Sequence, residues 1–269
     1  MTALVLTKLH GIGNDFLVAL DPSPATEERG ADLARSLCDR HRGIGADGLI
    51  VSRSGEAAPS DATLTFRLWN ADGSEAEVSG NGLRCLAHAA LDAGLVVEGR
   101  QFGVATPAGL RHVTVERKSP SLTWGSADMG IVKVQGEADR CNVGHGQLLV
   151  DVGNPHLVVL GPDPAQVDVA RLGPMLESTD PAGLNVEFVA LGPRDGEVTM
   201  RVWERGVGET QACGTGSCAA AAALHHWGRT GTAVTVHQPG GSVAVELRAD
   251  GTAVLSGPSE RISACHVEI

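Results

Sequence analysis

Short apolar runs separated by turn residues dominate this chain and predict a β-rich fold. Runs that alternate or stay apolar, as strands do, lie at residues 3–6, 64–69, 113–116, 148–152, 198–203, 233–236 and 243–246. Helical periodicity is rarer and predicts helices over 31–40, 83–93 and 217–227, the last two ended by Gly94 and Gly228 as C-terminal caps. We therefore predict an α/β (α+β) chain in which a few helices pack on many short strands.

One pattern of residues occurs twice. Thr-x-Arg-x-Trp-x5-Glu-x3-(Ser/Cys)-Gly-x-Gly begins at Thr65 and again at Thr199, so that every matched position is 134 residues apart. The copies differ at one informative position, which is Ser79 in the first and Cys213 in the second. Weaker matches in the same order are Gly-Asn at 13–14 and 153–154, and Val-x-x-Pro-x-Gly at 104–109 and 236–241. This favours an internal duplication, with a strand–turn–helix unit that arose twice for packing reasons as the alternative.

The duplication predicts two β-rich lobes, each with one long helix that begins at its glycine turn. We expect the N-terminal lobe to comprise residues 1–118, joined by the C-terminal strand 258–269, and the C-terminal lobe to comprise 119–257. At 269 residues, the chain is long enough to bury a sizeable core without disulfides or metals.

Composition narrows the classes of function. The formal net charge is −11 and lysine and arginine are not clustered, which argues against nucleic acid or an anionic membrane as a partner. The N-terminus lacks signal-peptide features and no run approaches the roughly 18 apolar residues of a membrane span, so we expect a cytoplasmic protein. Six scattered cysteines without Cys-x-x-Cys spacing indicate free thiols and no metal site. No cofactor is expected either, since the few lysines lie outside the repeated motifs.

Each copy of the motif places a serine or a cysteine in a glycine turn that opens a helix. Unpaired backbone N–H groups and the helix dipole at such a start form an anion site that suits a carboxylate. A helix N-terminus also lowers a cysteine pKa from about 8.5, so Cys213 is a candidate base or nucleophile, whereas a small core residue is the alternative. Cys85 and Cys218 are expected in the core.

Two such sites acting on one substrate carboxylate would put an acid/base group on each side of the attached carbon. This is the geometry of two-base racemisation, and a duplicated scaffold serves both faces of a planar carbanion alike. The sequence contains no Gly-x-Ser-x-Gly elbow, Walker loop, zinc-binding helix or Rossmann fingerprint that would indicate another chemistry.

At these motifs the chain resembles the diaminopimelate epimerases, PLP-independent enzymes that invert one stereocentre of LL-diaminopimelate to give the meso isomer. The resemblance runs nearly end to end and is carried by residues 10–16, 43–48, 70–75, 80–85, 153–156 and 204–216. It implies two similar α/β lobes, each a β-barrel-like sheet around a central helix, with the site in the cleft between them and closure over a small dicarboxylic diamino acid. It places the reaction in lysine and peptidoglycan precursor synthesis and favours a homodimer.

The resemblance also assigns residues. It makes Cys213 one of two catalytic thiols and implies that His156 and Glu204 help to deprotonate the thiols. The implied cradle of the reacting carboxylate is formed by the amides of Gly80, Asn81, Gly214 and Thr215. The implied ligands of the distal end of the substrate are Asn14, Asn70, Asn154, Asn185, Glu204 and Arg205, and an arginine beside asparagines suits a second carboxylate. From the residues alone, Asn154 and His156 fit a structural turn equally well.

The chain departs from the family at Ser79, where the family has its other catalytic cysteine. A serine hydroxyl is a far weaker acid than a thiol and a poor base for an α-hydrogen. Three explanations stay open: an introduced substitution, a natural serine that is activated or donates a proton in one direction, or drift to a related reaction. The leading hypothesis is a diaminopimelate epimerase. The alternatives are a related PLP-independent amino acid racemase or isomerase, and a catalytically silent amino acid-binding protein.

Overall fold

Two compact units form the structure, a computed structural model that describes residues 3–55, 58–59 and 61–269. Unit 1 runs to Ala127 and includes Gly257–Ile269, and unit 2 is Asp128–Ser256. The strand-dominated α/β class is confirmed, and each predicted strand corresponds to an observed one.

The elements of unit 1 alternate short strands with three helices among the described residues. They are β1 (Ala3–Gly11), β2 (Asn14–Leu20), α1 (Pro24–Glu28), α2 (Gly30–Leu37), β3 (Gly48–Ser52), β4 (Leu64–Thr65), β5 (Arg67–Asn70), β6 (Glu75–Ala76), α3 (Gly80–Asp92), β7 (Phe102–Thr106), β8 (Gly109–Arg117) and β9 (Leu122–Ile131), whose end belongs to unit 2.

Unit 2 follows the same plan. Its elements are β10 (Lys133–Glu137), β11 (Gly146–Asp151), β12 (Pro155–Leu160), a 3₁₀ turn (Pro164–Gln166), α4 (Val169–Glu177), β13 (Asn185–Leu191), β14 (Glu197–Glu204), β15 (Gly208–Thr210), α5 (Gly214–His226), β16 (Ala233–Gln238), β17 (Gly241–Leu247) and β18 (Thr252–Glu268), whose C-terminal part returns to unit 1.

Strand pairing repeats between the units. In unit 1, β1 and β2 are antiparallel, β2 and β3 parallel, and β3 and β5 antiparallel. In unit 2, β11 and β12, β12 and β13, and β13 and β14 pair in the same three ways. The registers also agree, since Leu49 lies opposite Trp69 and Val186 opposite Trp203. The internal repeat read from the sequence is therefore present in the fold.

Each sheet buries two faces. Alternate residues such as Leu17 and Leu49 pack with α2 in unit 1, and Leu157 and Val186 pack with α4 in unit 2. The opposite face contacts the long helix, α3 in unit 1 and α5 in unit 2. Both long helices are buried over their first eleven residues, so each is the central helix of its unit.

The central helices begin at Gly80 and Gly214, three residues before the predicted starts. They end as predicted, because Gly94 and Gly228 adopt the left-handed backbone (φ 71° and 65°) that closes a Schellman-type cap. Helix α2 stops at Leu37, short of the predicted end at Arg40, since the Asp39 side chain accepts two backbone N–H groups and starts a turn.

Candidate functional site

Cys213 is the N-cap of α5. Its backbone is extended (φ −127°, ψ 120°), and its Sγ accepts a hydrogen bond from the Gly216 N–H at 3.3 Å. Thr215 Oγ1 lies 3.4 Å from the sulfur. Only 5% of Cys213 is exposed. The first-turn amides of Gly214 and Thr215 have no intrahelical acceptor in a helix start of this kind, which leaves an anion site beside the thiol.

Two polar side chains that the sequence reading missed fix the backbone of Cys213. Its N–H donates to Gln238 Oε1 at 2.8 Å, Gln238 Nε2 donates to Ser217 Oγ at 3.0 Å, and Ser217 Oγ donates to the Cys213 carbonyl at 2.7 Å. This closed ring of hydrogen bonds is buried, so it holds the thiol in one orientation.

The prediction that this helix start lowers the pKa of Cys213 is wrong. Burial raises the pKa of Cys213 well above its usual value, and the nearby carboxylates of Glu204 and Glu187 raise it further. Hydrogen bonds from Thr215 and Gly216 act in the opposite direction but do not prevail. Cys213 is therefore a protonated thiol here and needs a proton acceptor before it can serve as a base.

The carboxylate of Glu204 lies within hydrogen-bond reach of this thiol. Glu204 ends β14, and burial raises its pKa. Thr210 Oγ1 donates to Glu204 Oε1 at 2.5 Å, and a hydrogen bond from the Cys213 thiol also stabilises the carboxylate. The charge of Glu187 raises the pKa of Glu204 and the charge of His156 lowers it. The Cys213 thiol and the Glu204 carboxylate therefore form a hydrogen-bonded donor and acceptor, each with a raised pKa.

His156 lies beside this pair and is fully buried. Its Nδ1 is 2.7 Å from Glu187 Oε1, and its Nε2 is 2.9 Å from Asn154 Oδ1. Glu187 is also fully buried and was not singled out from the sequence. The only indication in the sequence was an acidic residue inside the apolar run of β13. The partner of Glu187, His156, lies 31 residues earlier and becomes its neighbour only because β12 and β13 pair in parallel.

Asn185 and Arg205, two of the residues predicted to bind the distal end of the substrate, lie together at the turn after β14. Asn185 Oδ1 accepts from the Arg205 N–H at 3.0 Å, and Asn185 Nδ2 donates to the Pro155 carbonyl at 3.0 Å. The guanidinium of Arg205 is exposed and donates to the Ala182 carbonyl at 3.3 Å. Asn185 thus positions the backbone of Arg205, whose charged group remains accessible.

In unit 1, Ser79 occupies the position of Cys213. It is the N-cap of α3 (φ −141°, ψ 120°), and its Oγ accepts from the Gly82 N–H at 3.1 Å. Asn81 Nδ2 donates to Asn14 Oδ1 at 3.1 Å, and Asn14 Nδ2 donates to Asp47 Oδ2 at 2.7 Å. The structure thus brings Asn14 next to the helix start that includes Gly80 and Asn81.

Asn70 ends β5 and bonds to Ser74 Oγ at 3.0 Å in the following turn. The repeat offset makes it the counterpart of Glu204. The parallel registers likewise make Phe16 the counterpart of His156 and Ile50 the counterpart of Glu187.

The two helix starts therefore differ in more than the sulfur atom. Three ionisable residues lie on the strands beside Cys213, namely His156, Glu187 and Glu204. The corresponding residues of unit 1 are two apolar residues and an amide, namely Phe16, Ile50 and Asn70. At these three positions, side chains that can accept a proton occur only beside Cys213.

Other repeated residues are structural. Arg67 Nε donates to Glu75 Oε1 at 2.9 Å and Arg201 Nε to Glu209 Oε1 at 2.7 Å, so each pair ties its strand to the next. The repeated tryptophans pack tightly against glycines, Trp69 against Gly30 and Trp203 against Gly173. The conserved spacing of the duplicated motif thus combines packing positions with chemical ones.

Among the described residues, no cluster of three or more His, Cys, Asp or Glu side chains is arranged to hold a metal ion. The same part of the chain contains no helix long and apolar enough to cross a membrane.

Comparison with known proteins adds an independent observation. A family profile described as diaminopimelate epimerase matches residues 6–134 and 148–262. The diaminopimelate epimerase of Desulforudis audaxviator is 39% identical over 274 residues, covering 95% of this chain and 96% of the relative. That of Geobacillus kaustophilus is 37% identical over 283 residues, covering 97% and 96%.

Solved structures share the fold at low identity. A hydroxyproline epimerase from Agrobacterium vitis superposes with a TM-score of 0.71 at 20% identity, covering 98% of this chain and 92% of the other. A phenazine biosynthesis protein from Bacillus anthracis superposes with a TM-score of 0.73 at 15% identity, covering all of both chains.

Proposed function

This chain belongs to the diaminopimelate epimerase family, and from that premise we propose that it inverts one stereocentre of diaminopimelate with Cys213 as base and Ser79 as proton donor. The observation that carries the proposal is the matched pair of N-caps. Ser79 and Cys213 have the same ψ, 120°, and each accepts a hydrogen bond from the third residue of its helix.

The reacting carboxylate is held by backbone amides. Gly80 and Asn81 start α3, and Gly214 and Thr215 start α5. First-turn amides and the helix dipole favour a negative charge, and they favour it more as charge moves onto the carboxylate when the α-hydrogen leaves. The cradle therefore stabilises the carbanion as well as binding the substrate.

The proton route begins at Cys213. Its thiol proton passes to the Glu204 carboxylate, and the resulting thiolate takes the α-hydrogen as a proton, so that an S–H bond forms and the C–H electron pair stays on carbon. The Ser79 hydroxyl then gives its proton to the opposite face of the carbanion, which forms the new C–H bond. The alkoxide left on Ser79 regains a proton from solvent, and Glu204 returns its proton to solvent.

The distal amino acid end of the substrate is assigned to the polar side chains that match the family. Arg205 offers an exposed guanidinium for the second carboxylate, and Asn185 holds the backbone that carries it. Asn14, Asn70 and Asn154 complete the set as amide donors and acceptors. These assignments favour a substrate with two amino acid ends over a simple amino acid.

A homodimer and a cytoplasmic location also belong to the proposal. All six cysteines are free thiols, a state that a reducing compartment maintains. Size-exclusion chromatography with light scattering tests the homodimer.

The central test is hydrogen exchange in D₂O. Purified protein is incubated separately with LL- and meso-diaminopimelate, and α-deuterium is measured by NMR and mass spectrometry. We expect exchange that is lost in Cys213→Ala and kept in Cys141→Ala, a thiol outside the helix start. Absence of exchange from both isomers contradicts the proposal, whereas exchange with proline but not diaminopimelate assigns the chain to a related racemase.

A further inference from the structure

An exposed turn carries Arg205. Residues 205–207 are all exposed and link β14 to β15, and Gly206 adopts the left-handed backbone (φ 72°). Exposed turns are mobile unless hydrogen bonds or packing hold them. Asn185 holds one side of this turn through the Arg205 N–H. The other side is held by Glu177, a residue that was not singled out from the sequence.

Glu177 joins the turn to helix α4. Its Oε1 accepts from the Gly206 N–H at 2.9 Å, and its Oε2 accepts from the Trp203 indole N–H at 2.7 Å. The two donors stand on either side of Glu204 and Arg205 in the sequence. Both directions are fixed, because a backbone N–H and an indole N–H only donate. A side chain with two acceptor oxygens satisfies both donors, whereas glutamine has one acceptor oxygen and can satisfy only one of them.

The helix that carries Glu177 does not explain an acidic residue at this position. Glu177 is the last residue of α4. A negative charge at a helix C-terminus is unfavourable, because the helix dipole has its negative end there. The carboxylate therefore serves the turn after β14 rather than α4 itself.

The segment after α4 packs on the side chain of Arg205. Gly183 has a left-handed backbone (φ 76°), and a Cβ built on it would lie 2.8 Å from Arg205 Cδ and 2.9 Å from Arg205 Cγ. The guanidinium donates to the Ala182 carbonyl at 3.3 Å. The end of α4 and the residues that follow it thus contact both the backbone beside Arg205 and its side chain.

The corresponding turn of unit 1 is tied to its helix with the opposite polarity. The repeat offset makes Ala71 the counterpart of Arg205 and Asp72 the counterpart of Gly206. In unit 1 the helix donates, since Arg35 Nη1 of α2 bonds to the Asp72 carbonyl at 3.2 Å. The carboxylate link is therefore found at the turn that carries the arginine.

We propose that Glu177 is a positioning residue, which fixes the turn that presents Arg205 to the distal carboxylate of the substrate. It acts through the backbone of Gly206, so its effect falls on substrate binding. Glu204 is held separately by the Thr210 hydroxyl, so proton transfer should change little. The inference rests on the proposed epimerase function for its kinetic part only.

The first experiment needs no substrate. Hydrogen–deuterium exchange of the backbone amides is followed by NMR in the wild type and in Glu177→Met, which removes both acceptor oxygens at similar side-chain length. The informative amide is that of Arg205, because its acceptor is Asn185 and not Glu177. We expect the Gly206 and Arg205 amides both to exchange about 10-fold faster, since a lost bond to a charged group lets the turn open as a unit.

Faster exchange at Gly206 with unchanged exchange at Arg205 overturns the proposal, as does an unchanged rate at both. Glu177→Gln keeps one acceptor oxygen and should give rates between those of the wild type and Glu177→Met. It also decides the question if Glu177→Met does not fold.

The second experiment compares KM and kcat for diaminopimelate. Glu177→Met should raise KM about 10-fold and leave kcat nearly unchanged, because it loosens a group that binds the substrate and does not move a proton. A fall in kcat at constant KM would place the effect of Glu177 at Glu204 and contradict the proposal. If the wild type does not act on diaminopimelate, the epimerase function fails, and amide exchange still decides whether Glu177 positions Arg205.

Asp168→Ala is the matched control, because it weakens the same helix at its other end. Asp168 is the N-cap of α4, and its Oδ1 accepts from the Arg171 N–H at 3.3 Å. Asp168→Ala should lower the urea midpoint of unfolding through loss of the cap. It should leave KM and the exchange of the Arg205 amide unchanged. A rise in KM equal to that of Glu177→Met would show that Glu177 acts only through the stability of α4.

Discussion

Replacing Ser79 by cysteine is the perturbation that most directly probes the asymmetry of the two helix starts. The thiol should fit, because Ser79 and Cys213 differ by only 14° in φ and their side chains accept from the helix amide at 3.1 and 3.3 Å. A free thiol has a pKa of about 8.5, and an alcohol, like water, is a weaker acid by about 7 units. The acidity gap of about 7 units, expressed through a Brønsted coefficient of about 0.5, predicts about a 10³-fold faster epimerisation in Ser79→Cys.

The assay must separate inversion from exchange. The equilibrium constant fixes the ratio of kcat/KM in the two directions, so Ser79→Cys must accelerate both directions by the same factor. The equilibrium constant does not constrain the rates at which the two isomers exchange their α-hydrogen without inversion. In the wild type, only the isomer whose α-hydrogen faces Cys213 should incorporate deuterium while keeping its configuration. In Ser79→Cys, both isomers should do so.

Equal deuterium incorporation from both isomers in the wild type would show that Ser79 is itself an effective base. A lower rate in Ser79→Cys would show that serine is the better residue in this chain. Ser79→Ala is the matched control: it should abolish inversion, keep exchange from one isomer, and cost about 1 kcal/mol of stability through loss of the helix cap.

Three further predictions, one of them with a control substitution, concern the Cys213 helix start, the backbone of Arg205 and the core. Gly216→Ala should destabilise the protein by about 1–3 kcal/mol in urea unfolding, because its Cβ would meet a buried carboxylate oxygen at 2.7 Å. Gly82→Ala, whose nearest contacts are 3.2 Å, should be nearly neutral, since alanine gains up to about 1 kcal/mol of helix propensity. Asn185→Ala should raise KM for diaminopimelate by about 10-fold by releasing the backbone of Arg205, which costs a net hydrogen bond of about 1 kcal/mol or more. Burial raises the pKa of Cys85 from 9.0 to about 12, so folding keeps its proton and unfolding releases it. Stability should therefore fall between pH 9 and 12 by about 1.4 kcal/mol per pH unit for this group, and Cys85→Ala should remove that share.

Local features were predictable from the sequence, and distant pairings were not. The central helices could be placed because an apolar helical period follows a glycine turn and ends at Gly94 or Gly228. Helix α4 was missed because it is short and contains Pro174, which normally marks a helix end. Gln238 was missed because its contact with Cys213 joins residues 25 positions apart, and no local pattern announces it.

The acidity of Cys213 shows why a local rule failed. The motif around Cys213 contains only the helix start, and a backbone amide there does lower the pKa of the thiol. Burial and two carboxylates outweigh that amide, and both carboxylates come from strands that pairing brings alongside the helix. The sign of a pKa shift thus depended on tertiary contacts that the motif does not contain.

The distribution of ionisable groups bears on why serine is tolerated at one helix start. A thiol at position 79 would have Phe16, Ile50 and Asn70 at the positions that hold His156, Glu187 and Glu204 beside Cys213. None of these three side chains can accept a proton from it. In the direction in which position 79 donates a proton no such acceptor is needed, and a hydroxyl can perform that step. The thiol is replaced in the half of the duplication whose three corresponding strand positions carry no proton acceptor, which favours Ser79 as the proton donor in the direction in which Cys213 is the base.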